Sequence, residues 1–278
     1  MGPRSAASPE PISRLPAPGT ALPGHRLLLG REQALALDCG LALWPVTVAY
    51  QTYGRLNADK SNAVLICHAL TGDQHVHNVH PVTGKSGWWD LMVGPGLPID
   101  TDRFHVICAN LLGGCQGTTG PSSIDPQTGR AYGLRFPALT VADLVSVHRA
   151  LLAHLGIERL AAAVGGSVGG MQVLQWAIDH PGEVGAGILV CATRRLSPQN
   201  IAFSAVAREA ILRDPQFHGG DYAEHGERPD NGLFLARAIA HITYLSEQSM
   251  REKFGRRIQP GDEPRGPFDA DFEVESYL

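Results

Sequence analysis

With 278 residues, 44% of them hydrophobic and 18% charged, the chain can bury a full core, as one large domain or as a domain carrying an insertion. A formal net charge of −4 gives no reason to expect nucleic acid or an anionic membrane as partner, and no apolar run reaches the roughly 18 residues of a membrane span. The five cysteines are Cys39, Cys67, Cys108, Cys115 and Cys191. Three of them end apolar runs, at Val64–Cys67, Val106–Cys108 and Ile188–Cys191. That pattern reads as buried, reduced thiols in strands and points to a cytoplasmic location.

The first 24 residues are rich in Pro, Ser and Ala, lack an apolar signal-peptide core and read as a disordered leader. Trp44–Thr52 alternates apolar and polar residues, which predicts a half-exposed strand. Ala63–Cys67 and Phe104–Ala109 are continuous apolar runs, as in buried parallel strands. The first runs into His68-Ala-Leu-Thr-Gly72. The second runs into Asn110–Pro121, a loop richer in Gly and Thr than a connector needs. Thr140–Leu155 has helical spacing, with Thr140 as N-cap and Gly156 as the stop. A strand then leads into Ser167, a helix covers Met171–His180 before Pro181, and Val184–Ala192 is a further strand. Alternation of this kind is the doubly wound α/β pattern, and it makes residues 25–195 the core. From Ser197–Pro198 onward the pattern is helical, over Ile201–Arg213 and Leu233–Arg251, with a polar loop at Asp214–Asn231 between them. No buried strand follows.

The richest stretch is Leu160-Ala-Ala-Ala-Val-Gly-Gly-Ser-Val-Gly-Gly-Met-Gln172. It sets Ser167 in a G-x-S-x-G frame between an apolar run and a helix, the context of a nucleophile elbow. A serine at such a strained turn projects its hydroxyl into a site, and the helix behind it offers N–H groups to developing negative charge. No Gly-Lys-Ser/Thr follows, which excludes a Walker phosphate loop. Taken alone, the pentapeptide is equally compatible with a simple Gly-rich turn.

Longer blocks narrow the reading. Gly165–Gln172 resembles the elbow of the homoserine O-acetyltransferases. His68–Gly72 is similar to that family's first oxyanion loop, Gly87–Asp90 with Gly94–Gly96 and Ile99–Thr101 to the segment after it, and Leu112–Ser123 to its Gly-rich loop. Leu196–Phe203 and Ala238–Tyr244 resemble its lid helices. The resemblance implies an α/β-hydrolase fold: a mostly parallel, doubly wound sheet with a helical lid region at residues 196–278. It also implies transfer of an acetyl group from acetyl-CoA to L-homoserine through an acyl-serine, by a ping-pong route. Acetyl-CoA is then a substrate, with no bound cofactor and no metal, and the expected assembly is a homodimer. Ser167 would be the nucleophile, and the backbone N–H groups of Leu70 and Val168 the oxyanion hole. Arg237 and Tyr244 would contact the amino-acid substrate; seven residues apart on a helix, they share a face. Thr118-Thr119 fits the acetyl form of the family. Without the resemblance, Arg237 and Tyr244 read as ordinary residues of an amphipathic helix.

One departure is large. In this fold the triad order is Ser, then Asp or Glu, then His, and in the family both partners follow later strands. No such pair follows here. The last strands are therefore expected to be missing, and the 278 residues to be a fragment or a shortened chain, poorly stable and inactive or nearly so. His180, His218, His225, His241 and His68 are each badly placed to act as base. The His75-Val-His-Asn-Val-His80 run suits neither H-E-x-x-H nor a tetrahedral zinc site and reads as a polar loop. Competing functions are homoserine O-succinyl or serine O-acyl transfer, ester hydrolysis on the same fold, and a non-catalytic truncated paralogue.

Overall fold

Burial on both faces requires apolar side chains on both, and Ala63–Cys67 meets that demand with five consecutive buried residues. It becomes the centre of the main sheet. The computed structural model describes residues 24–30, 34–259 and 272–278; the expected leader lies outside these except for Gly24. The strands are β1 (His25–Leu29), β2 (Leu35–Ala36), β3 (Ala42–Leu43), β4 (Val46–Tyr53), β5 (Ala63–Cys67), β6 (Val93–Gly94), β7 (Ile99–Asp100), β8 (His105–Ala109), β9 (Ala162–Gly166) and β10 (Gly187–Val190). The helices are α1 (Val141–Leu155), α2 (Val168–Asp179), α3 (Pro198–Leu212), α4 (Asp230–Tyr244) and α5 (Glu247–Lys253). The chain divides into two compact units, Met1–Arg194 and Arg195–Leu278.

In the first unit, six strands form one sheet in the order β1-β4-β8-β5-β9-β10. β8, β5, β9 and β10 are parallel, while β4 runs antiparallel to both β1 and β8. Val64 of β5 lies opposite Val106 on one side and Ala162 on the other. Leu65, Ile107, Leu151, Leu160, Val173 and Trp176 belong to the main core cluster. α1 opens with a capping box between Thr140 and Asp143 and closes on Gly156 in the left-handed conformation. α1 and α2 are tied by the Arg149–Glu183 ion pair at 2.6 Å, and Trp176 Nε1–H donates to the same carboxylate at 2.9 Å. β10 ends the sheet as a free edge among the described residues, with Ile188 49% and Leu189 43% exposed.

Four expectations need correction. The strand predicted over Trp44–Thr52 as half-exposed is an interior strand, because β1, unread in the sequence, covers its outer side. α2 begins at Val168 and not at Met171: Gly169 and Gly170 sit inside its first turn, where packing outweighs poor helix propensity. Cys191 is exposed and lies one residue past β10, so only Cys67 and Cys108 are buried strand thiols. The single helix predicted over Leu233–Arg251 is two, broken where Leu245 is extended and Ser246 caps α5 by accepting Ser249 N–H.

The second unit is a helical hairpin of α3 and α4. Ser197 caps α3 by accepting Asn200 N–H, and Pro198 occupies its first turn. The buried Asp214 carboxylate accepts the N–H groups of Gln216 at 2.9 Å and Gly232 at 2.8 Å, fastening the connection to α4. A Cβ on Gly232 would come 2.5 Å from the Ala210 carbonyl oxygen, so only glycine lets the helices approach this closely.

Candidate active site

Ser167 stands between β9 and α2 with φ 53° and ψ −122°, a conformation that costs a non-glycine residue about 1–3 kcal/mol. The surrounding glycines permit the close backbone packing that holds this turn. A Cβ on Gly165 would overlap the Gly169 carbonyl oxygen, and one on Gly169 would overlap that of Cys67. Ser167 N–H donates to Val190 O at 3.0 Å and its carbonyl accepts Met171 N–H at 3.1 Å. The side chain makes no cap hydrogen bond, so Oγ is free of the helix it starts.

The overlap at Gly169 also shows that the first turn of α2 lies directly against the end of β5 and His68. The loop after β5 turns at Leu70 with Gly72 N–H donating to Ala69 O at 2.9 Å, and leaves Leu70 79% exposed. Neither Leu70 N–H nor Val168 N–H has a hydrogen-bond partner among the described residues. Two unpaired donors on segments in contact, beside a free hydroxyl, form an arrangement able to hold an oxyanion.

Sequence reading missed the polar residues behind these donors. His68 is buried; its Nε2 accepts Leu111 N–H at 3.1 Å and its Nδ1–H donates to Ala69 O at 2.7 Å. Burial lowers its pKa. His148 of α1 donates from Nε2–H to Gln172 Oε1 at 2.8 Å, and Gln172 Nε2 donates to Val168 O at 3.2 Å. Burial depresses His148 to about 4. Its Nδ1 is buried without a partner among the described residues. The one legible signal was Gln172, four residues after Val168 and so on the same helix face.

Most of the histidines that the sequence singled out are bonded elsewhere, although His75 Nε2 and His77 Nδ1 are buried without a partner among the described residues. His80 Nε2 faces Asp73 at 3.3 Å, while its Nδ1 accepts the N–H groups of Val82 and Thr83. His75 Nδ1 accepts from Asn78 Nδ2–H at 3.0 Å. No group of three or more His, Cys, Asp or Glu among the described residues could hold a metal ion. His180 caps the C-terminus of α2. In the second unit His218 pairs with Glu227 at 2.5 Å and stacks on His225, and His241 Nδ1–H donates to Tyr277 O at 2.9 Å. Thr118 and Thr119 are buried, and their hydroxyls accept the β4 amides of Ala49 at 3.0 Å and Thr47 at 2.8 Å. They pin the Gly-rich loop to the sheet, and the Thr118 hydroxyl also donates to Asn110 O at 2.8 Å. Arg237 and Tyr244 do meet on α4: Nη1–H donates to the phenol oxygen at 3.3 Å, with the guanidinium 5.9 Å from the ring centre, and both are exposed.

The family profile described as alpha/beta hydrolase fold matches residues 62–274, and the chain belongs to that family. Homoserine O-acetyltransferase of Rhodopseudomonas palustris (strain BisB18) is 55% identical over 90% of this chain and 63% of its own length. Homoserine O-succinyltransferase of Magnetococcus marinus is 55% identical over 94% and 68%. Among solved structures, homoserine O-acetyltransferase from Bacillus anthracis superposes with a TM-score of 0.77 at 34% identity, covering 84% of this chain and 63% of that one. Esterase E22 does so with 0.78 at 30%, covering 91% and 70%. Within the fold family the chain groups with the homoserine O-acyltransferases. It spans 63% of the length of the first of these relatives.

Proposed function

We propose that this protein carries the acyl-accepting half of a homoserine O-acyltransferase, with acetyl-CoA as donor and L-homoserine as acceptor. The observation that carries the reading is Ser167 in a strained elbow with a free hydroxyl, beside two unpaired backbone donors. Ser167 Oγ attacks the thioester carbonyl, the CoA thiol leaves, and homoserine's hydroxyl then takes the acetyl group from Ser167. The charge in each tetrahedral intermediate falls to the N–H groups of Leu70 and Val168, and loss of one such donor typically costs about 3–4 kcal/mol. Arg237 holds the substrate carboxylate, with Tyr244 as its hydrogen-bonded neighbour. The same reading places the protein in the cytoplasm as a homodimer, with residues 196–278 as the lid.

The general base is not among the described residues on this reading. His68 and His148 are buried in other hydrogen bonds, and no imidazole is bonded to Ser167. Residues 1–278 alone are accordingly expected to turn over slowly. The test is mass spectrometry after incubation with acetyl-CoA. An acetyl adduct on Ser167 that L-homoserine removes supports the reading, and adduct removal by water at the same rate with and without homoserine would favour an esterase. Succinyl-CoA in the same assay decides the donor.

A further inference from the structure

Parallel strands β5 and β8 release two loops side by side, residues 68–75 and 110–120. The first carries Leu70, whose side chain is exposed and whose N–H is unbonded; the direction of that N–H follows from Ala69 O in the same planar peptide, which accepts Gly72 N–H at 2.9 Å and the His68 ring at 2.7 Å. We propose that His68 is a positioning residue for the oxyanion hole: its imidazole locks the Leu70 loop to the loop after β8 and so sets the Leu70 N–H. The proposal rests on the acyl-serine reading of Ser167.

The hydrogen bonds run in one direction. Leu111 N–H donates to His68 Nε2 at 3.1 Å, and Asn110 Nδ2–H approaches the same nitrogen at 3.4 Å. That nitrogen must carry a lone pair, so the proton sits on Nδ1 and donates to Ala69 O at 2.7 Å. One ring therefore grips the backbone just before Leu70 with one nitrogen and the neighbouring loop with the other. The tie continues through Asn110, whose Oδ1 accepts Gln116 N–H at 3.2 Å, and through Gln74 Nε2, which donates to Gln116 O at 3.0 Å. The Leu70 loop is thus held at both ends, by His68 and by Gln74, with its tip free. Packing adds a second constraint: a Cβ on Gly72 would lie 3.0 Å from the His68 Cβ, and one on Gly169 the same distance from the His68 carbonyl oxygen. Displacing His68 moves both the Leu70 loop and the turn that carries Val168.

The test compares His68→Gln with His68→Asn in the full 278-residue chain. Gln places an acceptor near the Nε2 position and keeps the bond to Leu111; Asn reaches only the Nδ1 position and loses it. Ser167 acetylation by acetyl-CoA is expected to fall about 10–100-fold in His68→Asn, with half-saturation for the thioester moving less than about threefold. His68→Gln should return to within about threefold of the parent. Hydrogen exchange at residues 69–72 and at Leu111 should speed up in His68→Asn and not in His68→Gln. Equal rates in all three proteins, or equal loss in both variants together with an equal drop in melting temperature, would overturn the proposal. If the parent itself takes no acetyl group on Ser167, the acyltransferase reading fails separately. Exchange then decides: unchanged protection at 69–72 in His68→Asn rejects the tie, and selective loss upholds it.

Discussion

The Ser167 elbow and the Arg237–Tyr244 pair obtain their geometry in opposite ways. Around Ser167, backbone packs on backbone, Gly165, Gly169 and Gly170 leave no room for a Cβ, and the polar groups behind the donors are buried and hydrogen-bonded. Along α3 and α4 no side chain larger than Gly232 is fully buried, and Ile201, Val206, Phe234, Leu235 and Ile242 are exposed. A site that must stabilise charge in a transition state needs fixed donors, and close-packed backbone supplies them. On the proposed reading α4 only has to catch a substrate carboxylate, and for that long side chains on an open helix suffice. Changes at the packed glycines of the elbow should therefore cost rate and stability together, and changes on α4 should cost recognition alone.

The largest expected effect is Ser167→Ala, which should remove acetyl-CoA-dependent labelling altogether while leaving the fold intact, because the hydroxyl makes no cap hydrogen bond. A residual adduct of the same mass elsewhere on the chain would break the comparison at its first term. Gly169→Ala comes next. Its Cβ overlaps the Cys67 carbonyl oxygen, so the variant should lose about 3 kcal/mol or more in denaturant unfolding, against no loss for alanine at an open glycine such as Gly182.

The buried imidazoles sharpen the contrast through pH. His148 is held at about 4 in the folded chain, below its ordinary 6.5, because burial disfavours the charged ring. Below pH 6.5 the unfolded chain takes up a proton that the folded chain refuses. The stability contribution is complete above pH 6.5 and falls by about 1.4 kcal/mol per pH unit down to about 4. His68 and His75 are shifted in the same direction, also by burial, and add to the slope. Urea unfolding of the parent and of His148→Gln between pH 7 and 4 should differ by one proton's worth of slope; parallel curves would mean His148 titrates normally.

On α4, Arg237→Ala should raise the homoserine concentration needed for deacylation about 10–100-fold, the worth of a charge-assisted hydrogen bond pair, with unfolding free energy changed by less than about 0.5 kcal/mol. Arg237→Lys, which lacks the planar fork, should recover only part of this. The smallest effect expected is Thr140→Ala, which removes the α1 capping box for about 1 kcal/mol of stability and no change in labelling.

Sequence by itself determined the elements whose cause is local. The apolar runs Ala63–Cys67 and Phe104–Ala109, the Thr140 cap, the Gly156 stop and the Ser197–Pro198 start all read correctly, because period, capping and glycine act within a few residues. The Gly165–Gly169 frame likewise placed Ser167 at a strand-to-helix turn. Tertiary structure decided what depends on partners distant in the chain. β1 turned β4 into an interior strand, and tight packing let α2 start on Val168-Gly169-Gly170 against its propensity. Leu111 and Gln172 drew His68 and His148 into the interior, and β4 claimed the Thr118 and Thr119 hydroxyls. A residue's type states which hydrogen bonds it is able to make, but only the folded neighbours settle which of them it does make.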